Sequence, residues 1–273
     1  MTDRPPGGAG GAPESRVRVA AVGDLHFDGP AQQGSLAGLF ARASAEADVL
    51  ALCGDLTTHG EPAQMRSFVE ELRAVEVPIV AVLGNHDHEA EAADELVAIL
   101  RARGVHVLDG SHVVLEGIGF AGCKGFAGGY GRGALAPFGE RLIKEFVQAA
   151  IDESLKIENA LRTLAAPTRV VLLHYSPVTD TLVGEPEYVY PFLGSSRLLE
   201  PLETHGATVV FHGHVHNGRP EGRTPGGIPV FNVALPLLRR LGLGYRIWEA
   251  VAPERRAAGP EGGPAPSSSA QGP

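Results

Sequence analysis

The chain carries 273 residues, 44% hydrophobic and 20% charged, an ordinary globular balance and length enough for one large α/β domain. A formal charge of −9 with no runs of basic residues disfavours non-specific nucleic-acid binding. Two cysteines, Cys53 and Cys123, cannot build a disulfide framework, and no apolar run approaches the roughly 18 residues that span a membrane. Reduced thiols, a cytoplasmic location and no membrane partner are the expectation.

Residues 1–15 are rich in Pro and Gly and lack the apolar stretch of a secretory signal. Residues 252–273 are mostly Pro, Gly, Ala, Ser and charge. Neither end has enough apolar surface to offset its ordering entropy. Both are expected as disordered tails around a single domain over 16–251.

Within that span, short β-branched runs alternate with helical patterns. Strands are expected at 17–22, 49–52 and 79–83, ending at Gly23-Asp24, Gly54-Asp55 and Gly84-Asn85-His86-Asp87. Helices are expected at 36–47, at 62–74 with Pro62 in a first turn, and at 89–103 with Gly104 as the stop. The segments 105–108, 112–115 and 119–121 then read as short strands joined by Asp-Gly and Glu-Gly turns, an antiparallel edge or meander. A glycine-rich loop follows over 122–139, and a long helix over 140–164 with Leu142, Phe146, Ala149, Ile151, Leu155 and Leu161 as its apolar side. This loop and helix are read as an insertion near the site that shapes specificity. Strands at 169–173 and 207–211 end at His174 and His212-Gly213-His214, and strands at 228–233 and 245–248 close the core.

The polar residues collect at the strand ends. Asp24 with His26, Asp55, Asn85 with His86, His174, and His214 with His216 each stand just beyond a predicted strand. Side chains so placed converge on the crevice at one edge of an α/β sheet. Asp, Asn and His supply oxygen and imidazole donors for divalent transition metals. The glycines before Asp24, Asp55, Asn85 and His214 let the backbone turn sharply and approach closely. Asp24-Leu25-His26 and His214-Val215-His216 place both polar side chains on one face of an extended stretch. Each fragment alone is commonly a turn or a structural histidine. All of them in order, each at a strand end, point to a metal site.

These blocks resemble the signature of the calcineurin-like metallophosphoesterases: D-x-H, G-D, G-N-H-D/E, a lone H and G-H-x-H. Here they read Asp24-Leu25-His26, Gly54-Asp55, Gly84-Asn85-His86-Asp87, His174 and Gly213-His214-Val215-His216. Gly54-Asp55-Leu56-Thr57 is most similar to the bacterial cyclic-nucleotide-phosphodiesterase branch. The resemblance implies an α/β fold of two mixed β-sheets packed as a sandwich with flanking helices. It implies two divalent ions, Mn, Fe or Zn, one held by Asp24, His26 and His216, the other by Asn85, His174 and His214, with Asp55 bridging. It further implies a catalytic His86 oriented by Asp87. The activity implied is cleavage of a phosphate ester, a phosphodiester for preference, by in-line attack of a metal-bridging hydroxide. Its substrate would be a small phosphorylated molecule such as a nucleotide.

Other polar residues carry a weaker signal. His212, Lys124 and Arg132 are candidate substrate contacts, the last two inside the glycine-rich loop beside Tyr130. His59 and His88 read as solvated, and His106, His112 and His205 as surface or edge positions. The same centre would also serve a phosphomonoesterase or a nucleotide pyrophosphohydrolase. A non-catalytic scaffold of this family would be expected to lose ligands or the catalytic His, and this chain keeps them. A single-zinc hydrolase needs only three protein ligands and would leave most of these residues unexplained. The H-E-x-x-H helix of zinc peptidases is absent.

Overall fold

A computed structural model of the protein describes residues 15–252. The expected tails lie outside that range, except that Ser15 opens the first strand and Ala252 ends the last. Eleven strands are described, in two sheets. In the first sheet β1 (Ser15–Val22), β2 (Val49–Cys53), β3 (Ile79–Val82) and β4 (His106–Val107) run parallel. β11 (Arg246–Ala252) closes it antiparallel to β1.

The second sheet holds β5 (Ser111–Leu115), β6 (Ile118–Gly122), β7 (Arg169–Leu172), β8 (Val209–His212), β9 (Glu221–Arg223) and β10 (Pro229–Asn232). Its order is β5-β6-β7-β8-β10-β9, parallel from β6 to β10 with an antiparallel strand at each edge. The three short segments after Gly104 are therefore not one meander. The first joins β3, and the other two form a hairpin that starts the second sheet.

The inner parallel strands β2, β3, β6 and β8 are buried on both faces, which is why they read as unbroken apolar runs. The alternation appears only in what each side chain meets. Val170 and Leu172 of β7 and Val209 and Phe211 of β8 face the first sheet between the layers, on the side of Val19, Ala51 and Val82, and the Phe211 ring meets Trp248 of β11. Val171, Leu173 and Val210 point the other way, onto Ile157, Leu161 and Leu202. Those three come from α4 (Arg141–Thr163) and α6 (Leu199–Thr204). The first sheet is covered on its outer side by α1 (Ala37–Glu46), α2 (Pro62–Glu71) and α3 (Ala93–Ala102), through Phe40, Met65, Phe68, Leu96 and Leu100. The layers run α/β/β/α. α5 (Tyr190–Leu193) and α7 (Leu235–Arg240) are short. No helix among the described residues is long and apolar enough to cross a membrane.

The apolar side expected for α4 is largely wrong. The helix buries Val147, Ala150, Glu153, Ile157, Ala160 and Leu161, and leaves Leu142 77% and Leu155 46% exposed. At 3.6 residues per turn the stripe through Leu161 runs back through Ile157 and Ala150, and Leu155 is turned most of the way to the opposite face. The start of the glycine-rich loop, read as an insertion near the site, is packed into the core. Ala121, Cys123 and Ala127 are buried, and the buried Glu153 carboxylate accepts the Gly125 N–H at 2.8 Å.

Candidate metal centre

Asp24, His26, Asp55, Asn85, His174, His214 and His216 follow the carboxyl ends of β1, β2, β3, β7 and β8, and the fold brings all seven together. Asp24 Oδ1 is 2.9 Å from His216 Nε2 and 4.0 Å from His26 Nε2. His26 Nε2 is 3.9 Å from Asp55 Oδ2, while Asp55 Oδ1 is 3.3 Å from His174 Nε2. His174 Nε2 lies 2.9 Å from Asn85 Oδ1. Asp24, His26 and His216 form one group of potential donors within 4.8 Å of one another, and Asp55, His174 and His214 form another. A third joins His26, Asp55 and His86.

The close approach depends on glycine. A Cβ at Gly84 would collide with Asp55 Oδ1 and the Asp55 backbone N, and one at Gly54 would stand 2.6 Å from His174 Nδ1. Gly84→Ala is expected to displace Asp55 and cost about 1–3 kcal/mol of stability by overpacking. Metal content and thermal unfolding of the variant check both effects. Asp24, His26, Asp55 and His214 themselves adopt positive φ of 54°, 44°, 49° and 67°. Such backbone costs of order 1–3 kcal/mol per residue, and persists where the surroundings fix it for a function.

Backbone carbonyls hold the imidazoles by their outer nitrogens. His174 Nδ1 is 3.0 Å from the Cys53 carbonyl, His214 Nε2 3.2 Å from that of Phe192, and His86 Nδ1 2.7 Å from that of Thr58. A carbonyl accepts, so each of these nitrogens donates and the opposite one is left to face the cluster. The Asp24 carboxylate also accepts the His214 N–H, at 2.9 Å to Oδ2.

The donor set fits divalent metal. Asp24 and Asp55 are 2% and 1% exposed, and buried carboxylates require compensating positive charge. Burial alone would raise the Asp55 pKa, but His174 outweighs it and holds the carboxyl well below the usual range. Burial would lower the His174 pKa, yet Asp55 more than reverses this, to about 9. His26 Nε2 is buried without a hydrogen-bond partner among the described residues, although it faces both carboxylates. Separations of 2.9–3.3 Å between nearest donors suit side chains that share an ion at about 2.0–2.2 Å.

Other expectations need correction. Asp87 does not orient His86. Its buried carboxylate accepts the N–H groups of Leu56, Thr57 and Gly84 at 3.1, 2.9 and 2.9 Å and the Thr57 hydroxyl at 2.7 Å. It ties the Asp55 loop to the Asn85 loop, and the Thr58 carbonyl orients His86 instead. Asp87→Ala should therefore destabilise the protein by roughly 3 kcal/mol or more, at about 1–3 kcal/mol for each orphaned buried donor. A variant with unchanged thermal stability and a slower kcat alone would restore the orienting role.

His212 has no surface for substrate. It is fully buried between the Gly213 carbonyl at 2.7 Å and Thr181 Oγ1 at 2.9 Å, and burial pushes its pKa down to about 4. Lys124 turns its ammonium onto the Gly125 carbonyl and the rings of Phe126 and Tyr175. With His88, Glu153 and Lys156 it lines a cavity of about 100 Å³. Arg132 is exposed on the turn Gly131–Gly133, and no contact among the described residues joins it to the cluster.

Two neighbours of the cluster escaped the sequence reading. The Tyr175 ring packs 4.4 Å from His214 and 5.5 Å from His174, and burial pushes its phenol up to about 12. Its only sequence signal is adjacency to His174. Arg240 reaches the His216 carbonyl.

The calcineurin-like phosphoesterase family matches residues 17–218, which span every block of the cluster. The chain belongs to that family, and it is a metal-dependent phosphoesterase. Similar folds occur in a phosphopantetheinyl hydrolase from Mycobacterium tuberculosis, with a TM-score of 0.62 at 16% identity over 88% of this chain and 98% of that one. TT1561 of Thermus thermophilus superposes with a TM-score of 0.52 at 15% identity, over 87% and 99% of the two chains. A putative 5'-nucleotidase from Staphylococcus aureus gives 0.50 at 16% identity, over 80% of this chain and 48% of the other. No curated protein matches in sequence.

Proposed function

We propose that this phosphoesterase hydrolyses a phosphodiester at a centre for two divalent ions, Mn, Fe or Zn. Asp24, His26 and His216 would hold one ion, and Asn85, His174 and His214 the other. The observation that carries the reading is Asp55, whose two oxygens face different histidines, His26 and His174, from a single carboxylate. When bound, two such ions lower the pKa of a shared water toward neutrality and clamp the phosphoryl oxygens.

The chain's own residues do the rest. Thr58 fixes His86 with Nε2 outward, in reach of a leaving oxygen, as a general acid requires. His86 and His216 are the open side of the cluster, with side chains 39% and 37% exposed. The preference for a diester has an electrostatic reason. A monoester arrives as a dianion, and among the described residues the lysine and arginine candidates, Lys124 and Arg132, make no hydrogen bond or ion pair with the cluster. Arg240 stands at the edge of the cluster, on the His216 carbonyl, and supplies a single positive charge. A singly charged diester needs less positive charge from the protein.

Protein purified without chelator should contain up to two transition-metal ions per chain by elemental analysis. Chelation should abolish hydrolysis of bis-p-nitrophenyl phosphate, and Mn or Zn should restore it. Activity that persists in fully stripped protein would sink the two-metal reading. A p-nitrophenyl monoester cleaved faster than the diester under every metal would reverse the diester preference.

A further inference from the structure

The segment from Val183 to Gly194 holds a single 3-10 turn, Glu187–Val189, and the short helix α5, yet it is stitched to the loop of His214 and His216 at both ends. Near its start, the Glu185 carboxylate accepts the Asn217 N–H at 2.6 Å and its amide at 3.2 Å, one residue beyond His216. Near its end, the Phe192 carbonyl accepts from His214 at 3.2 Å. Gly194 and Ser176 form a bridge so close that a Cβ at Gly194 would collide with the Ser176 carbonyl. Pro186 and Pro191 further restrict the backbone between these anchors.

This rigid segment shows apolar side chains to solvent. Tyr188 is 81% exposed, Phe192 63% and Val183 41%. A single exposed apolar residue needs no explanation, but aromatic rings held on a fixed rim beside a buried polar cluster do. A carbonyl oxygen lies about 2.4 Å from its own Cα, so the Phe192 Cα is within about 6 Å of His214 Nε2. Glu185 and Glu187 lie on the same rim and disfavour a second anionic group there. Stacking against a flat, uncharged surface is what such a rim offers.

We propose that Phe192, with Tyr188, determines specificity by stacking on a planar aromatic group of the phosphodiester, a nucleobase or another aryl ring. The proposal rests on the phosphodiesterase reading above and adds the class of substrate. The Phe192 contact with His214 is made by the backbone, so shortening the side chain leaves that bond available.

The test uses three diesters with a common p-nitrophenolate leaving group: the thymidine 5'-phosphate ester, phenyl p-nitrophenyl phosphate and methyl p-nitrophenyl phosphate. The metal-loaded wild type should favour the thymidyl and phenyl esters over the methyl ester in kcat/KM by roughly tenfold or more, the scale of a base–aromatic stack. In Phe192→Ala/Tyr188→Ala that preference should collapse toward one with metal content unchanged, and Phe192→Trp should keep it. Preference for the thymidyl ester alone identifies a nucleobase site, and equal preference for both identifies a general aryl site. Equal kcat/KM for all three esters in the wild type, or a preference that survives the double variant, overturns the stacking rim but leaves the phosphodiesterase reading standing. Failure of the metal-loaded wild type to cleave any of the three overturns that reading, and the rim with it.

Discussion

Asp55→Ala should release both ions and lower turnover by more than the roughly 10²–10⁴-fold that a single positioned acid contributes. Its oxygens lie 3.3 Å from His174 and 3.9 Å from His26, so alanine removes a donor beside both histidines at once. It also removes one of the two buried carboxylates that attract cations. The His86 N–H, which Asp55 accepts at 2.9 Å, loses its partner, at about 0.5–1.5 kcal/mol for a half-buried bond. Elemental analysis and thermal unfolding on the same preparation check the result: metal near zero and a lower midpoint. One ion retained per chain would mean that Asp55 serves a single group.

For His86→Asn the expectation is the opposite pattern: both ions kept, the fold unchanged and kcat down by roughly 10²–10⁴-fold. His86 also belongs to a group of potential donors with His26 and Asp55, which makes the comparison decisive. Its Nδ1 is committed to the Thr58 carbonyl, and its side chain stays 39% exposed where a substrate would enter. If His86 protonates the leaving oxygen, the defect should shrink for good leaving groups such as nitrophenolate. If it only stabilises charge on the phosphoryl oxygens, the defect should be constant across leaving groups. An ion missing from His86→Asn would make it a ligand.

The candidate centre was legible because its residues obey a positional rule. Asp24, Asp55, Asn85, His174 and His214 each end a strand, and glycine before most of them marks close backbone approach. Sheet membership was not legible. A strand of two residues, one exposed and one buried, carries no pattern of its own, so nothing in the segment around His106 and Val107 says that it pairs with β3 and not with its neighbours in the chain. β9 was missed because Glu221–Arg223 is a short charged edge without an apolar pattern. The α4 stripe misleads because two of its largest apolar residues, Leu142 and Leu155, lie off the buried period, and a buried Glu153 paired with Gly125 looks like a surface residue in a string of letters. Asp87 failed for a related reason. Adjacency to His86 carries no information about where a side chain finds its donors, and this one found backbone N–H groups around Thr57 and Gly84. The carbonyls of Cys53, Thr58 and Phe192 that position the histidines belong to the main chain, where residue type says nothing.

The division of the cluster between two sheets also sets a timetable for the newly made chain. Asp24, His26, Asp55 and Asn85 leave the ribosome early, on strands of the first sheet, whereas His174, His214 and His216 arrive with the second. Asp24 and its partner His216 are 192 positions apart, roughly 10–40 s of synthesis at about 5–20 residues per second. Until then the early carboxylates lack His174 and His216, which face them, and the first sheet lacks β11, its last strand. The cluster is therefore assembled only in the finished domain, after its last histidine has been made.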